Sequence, residues 1–389
     1  MQLFRRPSIY ALPSYSLTGD LLGFLRCGLQ YRYTRIGNLP STRPVQLWFG
    51  QFIHGVMEES FRRFDTARKA GTIDLPPWTD VRITEICDLL KARLAAQGIY
   101  PYDDTLEELG DQRAKRAINE LGPELFPLIR RAEVRLTGAR ALPISQIPKQ
   151  YQFREADRYE MVGVIDVISS VELQNPLVQN NRFVKAILAG LPSKPPNAFE
   201  VIVDYKGMRR PPVKAAAGQT SLWEIYGWQV QTYGELRRRQ ADSLPVTAGL
   251  IIYLNELFHT RTDFDLLRKE IKDDTTDIRP TAGSEAEQLI WGWSKGQDPP
   301  ELPFEFRLER ALRVEPIDRA SVDKALVQFD EVVAKIETCR GRELGNGKIL
   351  STWDKNSSED STCAACDSRT FCPEFKKESS PRLPAIVKK

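Results

Sequence analysis

Two apolar runs carry carboxylates where a buried strand normally carries none. Gly163-Val-Ile-Asp166-Val-Ile sets Asp166 among aliphatic neighbours on both sides. Val201-Ile-Val-Asp204-Tyr205-Lys206 sets Asp204 and Lys206 two positions apart. Side chains alternate along a strand, so Asp204 and Lys206 leave the same sheet face. Burying an unpaired carboxylate is costly, and a pair of them commonly holds a cation between them. Hard oxygen ligands with open coordination positions suit Mg²⁺ or Mn²⁺. A lysine beside such an ion can orient an attacking water and balance developing phosphate charge. The bland alternative is an Asp204–Lys206 ion pair at an exposed strand end. His54, in Gly50-Gln-Phe-Ile-His54, is one of two histidines and lies on an otherwise apolar helix side. An imidazole there is either a core residue satisfied by a backbone carbonyl or a further metal ligand. Gln229 and Tyr233, four apart, share one helix face, as part of a site or as solvent-facing decoration.

A second chemistry is written in the cysteines. Cys363-Ala-Ala-Cys366-Asp-Ser-Arg-Thr-Phe-Cys372 brings three thiols together, while Cys27 stands alone near the other end. Three thiolates this close favour one soft-metal centre with a fourth ligand from elsewhere, for which Cys27 is the candidate. Zinc suits four cysteines equally well, and unconnected thiols are the remaining alternative. Cys87 and Cys339 fall in helical patterns and read as core thiols. Six cysteines are too few for a disulfide-scaffolded secreted chain of this size.

These residues must be positioned by a substantial fold. The chain has 389 residues, 41% hydrophobic, with 7 Trp, 12 Tyr and 17 Phe, ample material for a core and against general disorder. No apolar run approaches the roughly 18 residues of a membrane span, and the start (Met1-Gln-Leu-Phe-Arg-Arg-Pro) lacks a signal-peptide core. The expected location is cytoplasmic, with no membrane partner. A net charge of +3 is too near balance to imply nucleic acid by itself. Periodicity predicts helices over 16–31, 45–69 and 79–98, with charged helical candidates at 105–121 and 123–131. It predicts strands at 147–154, 160–171, 199–205 and 246–254. The Pro/Asn-rich stretch 173–197 reads as a surface loop or flap, and 221–239, 284–293 and 318–340 read as helices. The expected organisation is a helical region (1–140), an α/β core (141–260), a helical elaboration (261–350) and a cysteine-rich end (351–389).

Together the site residues resemble the PD-(D/E)XK nuclease superfamily, in its RecB-like branch. The match is a Gly-x-x-x-His helix (Gly50 to His54), a Gly-x-x-Asp strand (Gly163 to Asp166), an Asp-x-Lys strand (Asp204 to Lys206) and a Gln-x-x-x-Tyr helix (Gln229 to Tyr233). Their order is the family's order. The resemblance implies a restriction-endonuclease-like α/β fold, a mixed central sheet flanked by helices with a helical N-terminal elaboration. It implies that His54, Asp166, Asp204 and the Tyr205 carbonyl hold Mg²⁺ or Mn²⁺. Lys206 would position the nucleophilic water, and Gln229 with Tyr233 would support the site and the DNA strand. The one-plus-three cysteine pattern is similar to that of iron–sulfur nucleases of this branch, the AddB subunit of bacterial helicase–nucleases and the CRISPR adaptation nucleases. By that likeness Cys27, Cys363, Cys366 and Cys372 hold a 4Fe–4S cluster, a staple closing a loop across most of the chain.

The implied activity is exonucleolytic cutting of single-stranded DNA or duplex ends, in end processing, CRISPR adaptation or phage defence. The alternative is a nuclease-like DNA-binding subunit of a larger helicase or defence complex, with weak or conditional cutting. Arg209, Arg210 and Arg237 read as phosphate contacts beside the site, or else as solvated faces. Gly345-Asn-Gly347-Lys348-Ile349 is not a phosphate-binding loop, because the glycine spacing is wrong and Ile349 stands where Ser or Thr must reach Mg²⁺. Any helicase is therefore expected to be a partner. His259 reads as incidental.

Overall fold

The aliphatic runs that carry the two aspartates form neighbouring strands. In this computed structural model, which describes residues 11–39, 46–215, 221–355, 363 and 366–375, six strands join in one mixed sheet. They are Ser14–Ser16 (β1), Ile129–Ala141 (β2), Arg158–Glu172 (β3), Ala198–Lys206 (β4), Val246–Tyr253 (β5) and Leu312–Pro316 (β6). The order is β1-β3-β4-β5-β6, with β2 also paired to β3. β3 and β4 run antiparallel, in register from Val167↔Val203 to Glu172↔Ala198. β4 and β5 are parallel, and β5 and β6 antiparallel. Phe199 through Tyr205 are all buried, the pattern of a strand covered on both faces.

Helices flank this sheet: Gln46–Lys69 (α1), Asp80–Ala96 (α2), Asp104–Leu125 (α3), Arg182–Gly190 (α4), Leu222–Arg238 (α5), Arg261–Lys272 (α6), Glu285–Gly292 (α7), Phe304–Ala311 (α8) and Arg319–Asn346 (α9). The α/β class and the mixed sheet between helices are as expected from the sequence.

The chain divides into two units. One comprises Arg43–Gly138 and Val162–Leu326. Its core joins Phe52, Val56 and Met57 of α1, Ile86 and Leu90 of α2 and Ala117, Ile118 and Leu121 of α3 to Val167, Val203 and Leu250 of the sheet. Trp48 and Phe52, one turn apart on α1, stack at 4.8 Å. The other unit draws on the described parts of Met1–Thr42, Ala139–Met161 and Val327–Lys389. There Tyr159 stacks on Phe329 at 5.9 Å, and Arg32 makes a two-pronged ion pair with Glu343 at 2.6 and 2.7 Å. Trp353 donates its indole N–H to the same Glu343.

Several expectations are corrected. The segment 147–154 is not a strand; it follows a short helical turn at Ile144–Gln146 and holds another at Lys149–Tyr151, each preceded by a proline, Pro143 and Pro148. The stretch 173–197 contains α4, whose Phe183, Val184 and Ile187 are buried. Residues 123–131 do not form a second helix. Pro123 lies inside α3, and β2 begins at Ile129. β2 escaped notice because its exposed positions carry Arg and Glu, so it reads as polar. The helix expected over 16–31 breaks at Cys27, whose backbone is extended between Leu22–Arg26 and Gly28–Tyr31.

The three arginines read as phosphate contacts point inward instead. Arg209 pairs with Glu270 at 2.9 Å, and Arg210 pairs with Asp277 and donates to the carbonyls of Arg310 and Leu312. Arg237 is fully buried and grips the fully buried Glu200 at 2.7 and 2.8 Å. Charged groups this deep must be paired, and the pairing occupies the donors a phosphate would need. Arg237→Ala should therefore cost about 3–5 kcal/mol in chemical denaturation by stranding Glu200, with DNA affinity of the folded protein unchanged. Weakened DNA binding at unaltered stability would contradict the inward role.

Candidate active site

The β3–β4 register brings the two aspartates together. Val167 pairs with Val203, so Asp166 and Asp204 each stand one residue beyond that pair on adjacent strands. Asp166 Oδ2 accepts the Tyr205 amide N–H at 2.9 Å and lies 3.3 Å from His54 Nδ1. His54 is carried by α1, the helix whose opposite side fills the core, so core packing fixes where the imidazole stands. Burial would lower the His54 pKa, but the Asp166 carboxylate and the hydrogen bond to it outweigh that and the net shift is upward. Burial likewise opposes ionisation of Asp166, yet His54, the Tyr205 amide and Lys206 hold it below its ordinary value.

Asp204 is 2% exposed. Burial drives its pKa up, Lys206 opposes this, and the Asp166 charge adds to the rise. Lys206 Nζ lies 2.6 Å from Asp204 Oδ2 and donates to Gln229 Oε1 at 2.9 Å. Gln229 Nε2 in turn donates to Asp204 Oδ1 at 3.0 Å and to Tyr233 Oη at 3.3 Å. Asp204, Lys206 and Gln229 thus close a ring of two hydrogen bonds and one ion pair, and the amide orientation follows from having an acceptor on one side and a donor on the other. All five of the residues read as catalytic, Asp166, Asp204, Lys206, Gln229 and Tyr233, meet in this one place. Tyr205 contributes its amide, and its buried ring meets the His54 ring edge-on at 6.2 Å.

Gly163 has a packing reason. A β-carbon there would come within 2.8 Å of the Tyr233 ring and 3.0 Å of Leu236. At Gly50, by contrast, nothing among the described residues lies within 4 Å of that space.

Two residues were missed. The Tyr226 ring lies 4.4 Å from Lys206 Nζ, a cation–π contact; its spacing of three before Gln229 put it on the same helix face. Glu133 of β2 offers a carboxylate oxygen that lies with one atom each of His54 and Asp166 inside a 4.8 Å group. Its backbone is left-handed, φ 51°. Although open to solvent on one side, its carboxyl is pushed up to about 7, by desolvation first, then by Asp166 and Glu58. No periodicity marks it.

The donor set fits a hard divalent cation. Asp166, Asp204 and Glu133 outnumber the one fixed ammonium, Lys206; burial first, and then the Asp166 charge, push Asp204 and Glu133 upward. Residues 19–176 match the sequence model of the PD-(D/E)XK nuclease superfamily.

The matched segment contains His54, Glu133 and Asp166 and ends before β4, which supplies Asp204 and Lys206. The match covers less than half of the chain. No curated protein matches the chain. No helix among the described residues is long and apolar enough to cross a membrane.

Cys27, Cys363, Cys366 and Cys372 line one pocket with Gln30, Lys355 and Phe375. None of the four is in a disulfide. Cys366 is pushed upward by burial, relieved by a Ser368 backbone bond, and raised again by the other three cysteines. Buried Cys87 is pushed up to about 12, and half-buried Cys339 to about 11, as inert thiols are. Buried His259 bonds Glu256 at 3.1 Å. Gly347, φ 67°, follows the end of α9 rather than cradling a phosphate.

The two motif glycines should respond oppositely to alanine. Gly163→Ala should destabilise by about 1–3 kcal/mol through overpacking on Tyr233, and Gly50→Ala should stabilise by up to about 1 kcal/mol as an open helix position. Denaturation midpoints at matched m-values read both.

Proposed function

We propose that the chain is a Mg²⁺- or Mn²⁺-dependent deoxyribonuclease of the RecB-like branch, cutting single strands or duplex ends exonucleolytically. The observation that carries the reading is the closed Asp204–Lys206–Gln229 ring beside the His54–Asp166 pair. In this reading His54, Asp166, Asp204 and the Tyr205 carbonyl hold the cation. When bound, that ion supplies Lewis-acid stabilisation of the phosphate and acidifies water. Lys206, held by its two partners, orients the attacking water and offsets the charge that builds on the phosphoryl oxygens. Gln229 holds the ammonium in place, and Tyr233 holds Gln229. The Tyr226 ring lies against the Lys206 ammonium and helps hold it in position.

The second part of the proposal is a 4Fe–4S cluster on Cys27, Cys363, Cys366 and Cys372, supported by the pocket these four thiols share. Its role is a staple, since Cys27 and the C-terminal cysteines lie at opposite ends of the sequence. A cytoplasmic role in DNA end processing, CRISPR adaptation or phage defence, beside a helicase or defence complex, follows from the same resemblance.

Purified protein incubated with linear and circular, single- and double-stranded DNA tests the enzyme. Cleavage should require Mn²⁺ or Mg²⁺, stop with EDTA, favour free ends, and fall on the order of 10²–10³-fold in Lys206→Ala. Identical, metal-independent results from wild type and mutant would leave only a DNA-binding subunit. Anaerobically prepared protein should be brown, carry iron and sulfide, and lose both in Cys27→Ser; a colourless protein with stoichiometric zinc would defeat the cluster.

A further inference from the structure

Three observations converge on Glu133. Its carboxylate belongs to the same 4.8 Å group as His54 and Asp166, whereas Asp204 stands outside that group, engaged by Lys206 and Gln229. It comes from β2, an element independent of the helix and strands that carry the other site residues. Its backbone is held at φ 51° within a strand, a conformation that a non-glycine residue adopts only where the surroundings enforce it. An exposed glutamate that merely decorated a strand would have no reason to sit there. A strand residue in the left-handed region turns its side chain away from the regular alternation, which re-aims the carboxylate.

We infer that Glu133 is a direct ligand of a divalent cation, held jointly with His54 and Asp166. The imidazole nitrogen and two carboxylate oxygens form a mixed donor set on three different elements, the composition that Mn²⁺ accepts readily and Mg²⁺ accepts through its oxygens. This rests on the proposed metal-dependent function and adds to its ligand set. Glu58, whose charge also acts on Glu133, lies outside the group of three and contributes only a through-space field.

Binding of Mn²⁺ alone, followed by the loss of its free-ion paramagnetic resonance signal, separates these roles without any nuclease assay. Wild type should bind Mn²⁺. Glu133→Gln should weaken binding by at least about tenfold, the least expected when a coordination partner is lost, and Glu58→Gln should change it little. Glu133→Gly, free of the left-handed strain, should bind as weakly as Glu133→Gln while melting no lower than wild type, which excludes misfolding as the cause. If Glu133→Gln binds like wild type, or Glu58→Gln falls as far as Glu133→Gln, Glu133 is not a ligand and the metal-dependent reading stands without it. If wild type itself takes up no Mn²⁺, both the ligand assignment and the metal-dependent reading fail.

Discussion

Two carboxylates on adjacent strands, at the edge of an aliphatic core, set the terms for everything around them. Asp204 is almost wholly buried and Asp166 nearly so, and the antiparallel register makes them neighbours. Neither can remain ionised there without nearby positive charge or donors. His54 and the Tyr205 amide answer Asp166; Lys206 and the Gln229 amide answer Asp204. Burial, with the Asp166 charge added, still pushes Asp204 and Glu133 upward. A stable protein with no use for the arrangement would gain by replacing it with apolar side chains.

The elements that hold these groups are rigid for ordinary reasons. α1 is fastened by its Trp48, Phe52, Val56 and Met57 side, leaving His54 on the remaining face. β4 is buried on both faces, so the alternation of Asp204, Tyr205 and Lys206 leaves no freedom to slip by one residue. α5 approaches β3 closely because Gly163 yields the space that the Tyr233 ring fills. Pre-organisation is therefore supplied by the same packing that stabilises the unit, with no separate device.

Much of the site was legible because its signals are local. Charge inside an aliphatic strand, a two-residue strand spacing and a four-residue helix spacing are readable along the chain, and they pointed to Asp166, Asp204, Lys206, Gln229 and Tyr233. Glu133 was not legible, because its strand is largely solvent-facing and its left-handed backbone breaks the alternation that would have marked it. The arginines misled for a related reason. Sequence shows where positive charge clusters but not which carboxylates face it across the fold, and Glu200, Glu270 and Asp277 come from distant elements. Residues 147–154 misled through composition, since apolar and aromatic residues there meet prolines that forbid a regular ladder. Because many charges are paired inside the protein, the near-neutral net charge carries little information about DNA.

The account stands on one physical claim, that Asp166 and Asp204 together hold a catalytic divalent cation. Anomalous diffraction at the manganese edge, from crystals of the protein soaked in Mn²⁺, addresses it directly. The account predicts a peak in coordination contact with both carboxylates. A peak that leaves either aspartate uncoordinated, or no peak from crystals that otherwise diffract normally, would contradict it.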